Sequence, residues 1–216
     1  MSKHLIEVEL RGPLTAESQA HLVEYLVSRG CEKRFENRVF IDYSTLVEGV
    51  ATRNLDVRVR MTNSKPEIVV KRGKFAGDYR EEAVAPVGTH SLDSAVRVMA
   101  LLGYRRGVLC DRAITRFQLG TIEVAIQEVR IIGTSFVHSM FFEIEFQNQL
   151  ANPDEAAKTL REFANEVALP LFSSDDWTRY VELINVEANG IFDFDSDSLD
   201  RLVGLGMEIS AQRPSP

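Results

Sequence analysis

Ile6-Glu7-Val8-Glu9-Leu10-Arg11 is the stretch whose reading decides the fold. Successive side chains of a strand point to opposite faces, so Glu7, Glu9 and Arg11 share one face and Ile6, Val8 and Leu10 the other. An ordinary surface strand turns its polar face to water. Here the alternation returns in later segments, each time with ionic side chains on one face. Residues 55–61 place Arg58 and Arg60 with Asp56, opposite Val57 and Val59. Residues 67–72 form the return strand with Lys71, and 79–85 carry Arg80 and Glu82. Residues 108–119 hold Arg112 and Arg116 in phase. Residues 121–129 set Glu123 and Gln127 against Ile122, Val124 and Ile126, and 140–147 set Glu143 and Glu145 against Phe142, Ile144 and Phe146. Charged faces of both signs, each backed by an apolar face, point to a closed barrel with an ionic interior. About eight strands suffice to enclose a polar cavity.

The punctuation of the chain supplies the rest. Gly12-Pro13 is expected to break the first strand. Thr15 reads as an N-cap for a helix to about residue 29, ended by Gly30. A strand follows over 35–43, and 46–53 is expected to be a loop or short turn. Asn63-Ser64-Lys65-Pro66 reads as a turn. Ser91 is expected to cap a helix over 92–102, closed by Gly103. Asn152-Pro153-Asp154 opens a third helix to about 168, and 173–176 cap a fourth to about 184. The expected fold is α+β: a closed eight-stranded antiparallel β-barrel, or tunnel, with flanking helices and a C-terminal helical extension. Residues 1–150 form the tunnel domain. Residues 151–188 are helices packed on it, too short to build their own core. Residues 189–216 are an acidic extension with a short helix over 196–205 and a disordered tail from 211.

Composition bounds the function. The chain has 216 residues, 44% hydrophobic and 26% charged, with net charge −7. That suits one generous globular domain and argues against non-specific nucleic-acid binding. Cys31 and Cys110 fit no disulfide or zinc spacing, so a reduced, cytoplasmic setting is the expectation. Nothing approaches the roughly 20 apolar residues of a membrane span. His4, His21, His90 and His138 lack partners at metal spacing. Asp193, Asp195 and Asp197 lack the glycine and closing glutamate of an EF-hand loop. Trp177 is expected to pack the fourth helix onto the barrel.

Many charges inside one barrel cost several kcal/mol per ion unless each is paired or solvated. Such a cavity calls for an ionic occupant. Clustered carboxylates are hard-oxygen ligands suited to Mg2+ or Mn2+, and a basic ring beside them suits a polyanion. Together they describe a metal-bridged polyphosphate. The alternative is that each charged face is the solvated outside of an ordinary antiparallel sheet.

In motif order the chain resembles the CYTH superfamily, the triphosphate tunnel metalloenzymes, from Leu5 to about Ile184. Glu7-Val8-Glu9-Leu10-Arg11 stands at the opening Glu-x-Glu-x-Lys, and Arg58-Val59-Arg60 at the Arg-x-Arg strand. Lys71-Arg72-Gly73, Arg80-Glu81-Glu82, Leu102-Gly103-Tyr104 and Glu143-Ile144-Glu145 follow in the family's order. Residues 177–183 resemble a C-terminal stretch of cyclase-type members. The resemblance implies an eight-stranded tunnel that holds a triphosphate on basic residues and divalent metal on glutamates. It assigns catalytic roles to Glu7, Glu9 and Arg11. Phosphate contacts fall to Arg58, Arg60, Lys71, Arg80, Arg112 and Arg116, and metal ligation to Glu9, Glu143, Glu145 and Glu123. Arg11 replaces the family lysine, a planar fork for a compact ammonium. Gln127 stands where many members have aspartate, with Glu123 on the same face to compensate. Ile114 stands where arginine is usual, with Arg116 on the same face. The leading expectation is metal-dependent hydrolysis of tripolyphosphate, thiamine triphosphate or a nucleoside triphosphate. Cyclisation of ATP to cyclic AMP is the runner-up, followed by a non-catalytic nucleotide or polyphosphate-binding module and a structural barrel. The expected partner is a triphosphate-containing small molecule, with a homodimer as an option and neither nucleic acid nor membrane.

Overall fold

The computed structural model describes residues 6–88, 92–147 and 152–197. The capping role expected of Ser91, the 196–205 helix beyond Asp197 and the tail from 211 lie outside them.

Eight antiparallel strands close on themselves. They are β1 (Ile6–Leu14), β2 (Arg34–Asp42), β3 (Leu55–Thr62), β4 (Lys65–Arg72), β5 (Tyr79–Pro86), β6 (Arg106–Leu119), β7 (Ile122–Arg130) and β8 (Val137–Phe146). The order around the wall is β2-β3-β4-β5-β1-β8-β7-β6, and β6 pairs back onto β2 to close it. A ninth strand, β9 (Gly190–Asp193), pairs with β6 over Arg106–Leu109. It occupies the edge of β6 that β7 leaves free beyond the Asp111–Arg130 pair.

The helices are α1 (Ala16–Ser28), α2 (Ser44–Glu48), α3 (Leu92–Leu101), α4 (Pro153–Glu166) and α5 (Ser174–Glu187). Thr15 caps α1 in a capping box with Ser18, Asn152 caps α4 and Ser173 caps α5, each side chain accepting from a backbone N–H that the helix leaves unpaired. Each long helix lays its apolar stripe on the outside of the wall. Leu22 and Leu26 of α1, with Leu160 and Phe163 of α4, cover Val8, Leu10, Ile126, Phe142 and Ile144. Ala95, Val96 and Met99 of α3 cover Val57, Val59 and Leu109. Trp177, Val181 and Ile184 of α5 pack with Phe75, Val129 and Phe141. Burying each such aliphatic side chain contributes about 1.5–3 kcal/mol. The hydrocarbon core therefore lies mainly outside the barrel, in two pads between wall and helices, and the third pad, which includes the inward-facing Phe141, closes one end of it.

Three local expectations are corrected. Strand β1 does not break at Gly12-Pro13 but runs to Leu14. Arg11 O faces away from β8 and accepts from Phe172 N, so the nitrogen of Pro13, on the same side, removes no bond to β8. Gly12 is required there, because a Cβ would collide with the Pro170 carbonyl and the Phe142 ring. The turn expected over 63–66 is a two-residue hairpin. Asn63 (φ 48°) and Ser64 (φ 65°) make it alone, and Lys65 and Pro66 already belong to β4. The segment expected as loop after β2 begins with α2, whose first N–H groups, Ser44 and Thr45, bond to Asp42 Oδ1.

Candidate functional site: a charged tunnel

Strand pairing brings the charged faces inward. Glu9 stands opposite Glu145 and Arg11 opposite Glu143 across β1 and β8. Glu7 stands opposite Arg80, Lys71 opposite Glu82 and Glu123 opposite Glu145. The result is one cavity of about 340 Å3. All twelve residues singled out for the site line it: Glu7, Glu9, Arg11, Arg58, Arg60, Lys71, Arg80, Arg112, Arg116, Glu123, Glu143 and Glu145. The charged faces are thus not the solvated outside of a sheet.

One end is covered by α5. Trp177, Val181 and Ile184 line the cavity there, with Phe75 and Phe141. Trp177 lies 5.2 Å from the Phe141 ring, and the Arg11 guanidinium sits 5.0 Å from the indole. At the other end Arg34 reaches solvent and pairs with Glu123 at 3.2 Å.

The half near α5 is a dense ionic lattice. Asp56 accepts from Arg58 Nε at 2.7 Å and from Arg80 Nη1 at 3.1 Å. Arg80 Nη2 also donates to Glu9 at 2.6 Å, and Lys71 donates to Glu7 at 2.6 Å. Arg11 bridges Glu9 and Glu143, the latter at 3.1 Å through Nε. Gln127 donates to the other oxygen of Glu143. The amide at the position where aspartate is usual thus acts as a donor to a carboxylate. Burial alone would raise the Asp56 carboxyl, but Arg58, Arg53 and Arg80 outweigh it and hold the group well below the ordinary carboxylate range. Burial depresses Lys71 despite Glu7.

Arg112 is different. Its Nη1 donates to the Asp111 carbonyl at 2.7 Å and to Asn189 Oδ1 at 3.1 Å, and among the described residues it makes no ion pair with a carboxylate. It is buried, and stands 5.7 Å from the Phe40 ring.

In the other half the two signs interleave: Arg60 donates to Glu67 at 2.6 Å, Arg116 to Glu36 at 2.9 Å and to Glu123, and Arg38 reaches Glu36 at 3.4 Å. Arg38, Arg60 and Arg116 gather on β2, β3 and β6. Burial and the neighbouring Arg60 and Arg116 bring Arg38 down to about 9. Glu82, Glu123 and Glu145 gather from β5, β7 and β8, next to the Lys71–Glu7 pair. Burial, then Glu7, Glu123 and Glu82, push Glu145 up to about 7, and it has no hydrogen-bond or ion-pair partner among the described residues. Its oxygens suit a hard divalent cation. Glu9 and Glu143, also expected as ligands, are already engaged by Arg11. Among the described residues no three His, Cys, Asp or Glu side chains stand close enough to form a ready ligand set.

Several lining residues escaped the sequence reading. Glu36, Arg38, Phe40 and Asp42 alternate on β2, a signal the chain carries but that was read only as strand. Arg53 comes from the loop after α2, bonds Asp42 at 2.5 Å and stacks 3.7 Å over Phe75. No periodicity announces it. The acidic run after β9 is paired, Asp193 with Arg106 at 3.3 Å and Asp195 with Arg105 at 2.9 Å.

No protein-family model and no curated protein matches the sequence. Solved structures do. A protein of Pyrococcus horikoshii OT3 superposes with a TM-score of 0.60 at 18% identity, covering 82% of this chain and 97% of that one. A putative adenylate cyclase from Vibrio parahaemolyticus gives 0.55 at 13%, covering 81% and 93%. A putative adenylyl cyclase from Hippeastrum, described as having a dominant triphosphatase activity, gives 0.52 at 15%, covering 82% and 95%. At these identities the likeness is one of fold alone.

Proposed function

We propose that the protein binds a triphosphate compound inside the tunnel and hydrolyses it with a divalent cation. The observation that carries this reading is that one cavity gathers the arginines Arg38, Arg60, Arg112 and Arg116 and, beside them, Glu145, a carboxylate with no partner among the described residues. A phosphate chain there is held by guanidinium donors. Mg2+ or Mn2+, when bound, would neutralise phosphate charge; Glu145 would hold it, joined by Glu123 once released from Arg116. Arg112, free of carboxylates among the described residues, contributes a further anion contact. Arg11 holds Glu143 and shares Glu9 with Arg80, so both carboxylates are fixed in place. Attack of water on the terminal phosphorus breaks its bond to the bridging oxygen and releases phosphate and a diphosphate compound. The triphosphatase activity described for the Hippeastrum protein supports this reaction. A reduced, cytoplasmic setting suits Cys31 and Cys110, which are both unpaired.

A second reading, a binding module without turnover, is favoured by one observation: Arg11 occupies two of the expected metal ligands. One assay separates them. The protein is incubated with Mg2+ or Mn2+ and, in turn, tripolyphosphate, thiamine triphosphate and ATP, and the products are resolved. Free phosphate is expected. Cyclic AMP with pyrophosphate would identify a cyclase, and tight binding without product the module. Glu143→Gln with Glu145→Gln should abolish metal-dependent release, and an unchanged rate would remove these residues from the metal site.

A further inference from the structure

Asp56 belongs to none of the roles considered so far, yet it occupies the centre of the basic residues in the α5 half of the tunnel. It is 3% exposed. It takes both donors of the Arg58 fork, Nε at 2.7 Å and Nη2 at 2.5 Å, and Nη1 of Arg80 at 3.1 Å. This is the bidentate geometry with which arginine grips a phosphate. Arg80 is boxed in further by Glu9 on Nη2, and its Nε is buried with no partner. Five of the six cations expected to hold phosphate are paired with carboxylates, Lys71 with Glu7, Arg60 with Glu67 and Arg116 with Glu36 and Glu123 besides Arg58 and Arg80, but only Arg58 and Arg80 share one deeply buried carboxylate that takes three donors. Arg112 has no such partner among the described residues.

We propose that Asp56 is a specificity-determining residue, a built-in anion that holds Arg58 and Arg80 and keeps the phosphate chain in the outer half of the tunnel. This rests on the reading of the cavity as a triphosphate site. A phosphate can reach the Arg58–Arg80 pair only by displacing a carboxylate already bonded by three donors. Arg60 pairs with Glu67 at 2.6 Å and Arg116 with Glu36 at 2.9 Å, but these carboxylates are 22% and 23% exposed against 3% for Asp56, so water can take them over when a phosphate displaces them, and Arg112 stands without a competitor among the described residues. The chain is thus registered against the outer arginines, beside Glu145 and Glu123, and the pocket near Trp177 is closed to it. Substrates whose terminal phosphates insert while the rest of the molecule stays outside are favoured over compact polyanions that must fill the full depth.

The test is the affinity of tripolyphosphate, measured by calorimetry in the presence of a chelator so that metal binding and turnover do not enter. The wild type and D56N are compared at low salt. The asparagine keeps the shape and removes the charge, so Arg58 and Arg80 gain an unmet demand for an anion. D56N should bind tripolyphosphate about tenfold more tightly or better, the weight of one freed charge-assisted contact. D56E, which keeps the carboxylate, should not. A wild type that binds while D56N binds no more tightly would overturn the role of Asp56 and leave the triphosphate site standing. Failure of both proteins to bind would overturn the two together. Should D56N be too unstable to titrate, its melting temperature decides the matter. A larger rise with tripolyphosphate than the wild type shows supports the resident-anion role, and an equal or smaller rise refutes it.

Discussion

Two arginines a few ångströms from the same lattice show how differently one residue type behaves inside this barrel. Arg80 is bonded to Glu9 and Asp56 and is nearly inaccessible. Removing it takes one buried counter-charge from each of Glu9 and Asp56, which keep Arg11 and Arg58, so Arg80→Gln should lower stability by about 3 kcal/mol in denaturant titration. Arg112 leaves no carboxylate behind when it is removed. Arg112→Gln should weaken tripolyphosphate binding about tenfold while the melting temperature stays near that of the wild type, a split readable by calorimetry beside a melting curve. The two residues look alike in the sequence, each an arginine on the inward parity of a strand. What separates them is the partner delivered by another strand, which no local pattern encodes. Gln127 teaches the same lesson, since its donor role depends on Glu143 arriving from β8.

At the scale of elements, β6 shows both faces of the design. Its inner face carries Arg112 and Arg116. Its outer face carries Asp111, 1% exposed, with one oxygen unpartnered and Arg130 no closer than 3.8 Å. Burial, only partly offset by Arg130 and Arg112, pushes this carboxyl up to about 6. The folded protein then holds a proton on Asp111 that the unfolded chain releases near pH 4. This group's contribution is therefore full below about pH 4 and is lost as pH rises through about 6. Asp111→Asn should raise stability by on the order of 2 kcal/mol at pH 7 and leave it unchanged at pH 3.5, so a flatter stability–pH curve checks the assignment. The strands themselves were legible, because period-two alternation of ionic and apolar residues is strong in β1, β3, β6, β7 and β8. Less legible were the ends. β1 runs on through Gly12-Pro13 because its far edge carries no partner strand there. Helix α2 forms because Asp42, folded inward, has oxygens free for its first N–H groups. β9 exists because β7 ends early and leaves an edge of β6 to be paired.

For the molecule as a whole, the decisive feature is that the barrel interior holds charge and the hydrocarbon lies mainly outside it, under four long helices. Helix α5 matters most for the site, because it covers one end of the tunnel with Trp177, Val181 and Ile184. Trp177→Ala removes the indole that packs on Phe75, Phe141, Phe172 and Tyr180 and carries the Arg11 cation. It should cost about 3–5 kcal/mol in chemical unfolding. Alone, the sequence determined that charged and apolar residues alternate on successive strands, that helices cap and stop where they do, and that the ionic faces need a common interior. Those properties follow from the two-residue period of a strand and the 3.6-residue period of a helix, which are written locally. Which carboxylate meets which cation, that Asp56 rather than solvent satisfies Arg58, that Arg11 spans Glu9 and Glu143, and that α5 closes one end were decided only in three dimensions. Such pairings join residues from strands far apart in the chain, and their energies depend on burial and distance, quantities that exist only once the barrel has closed.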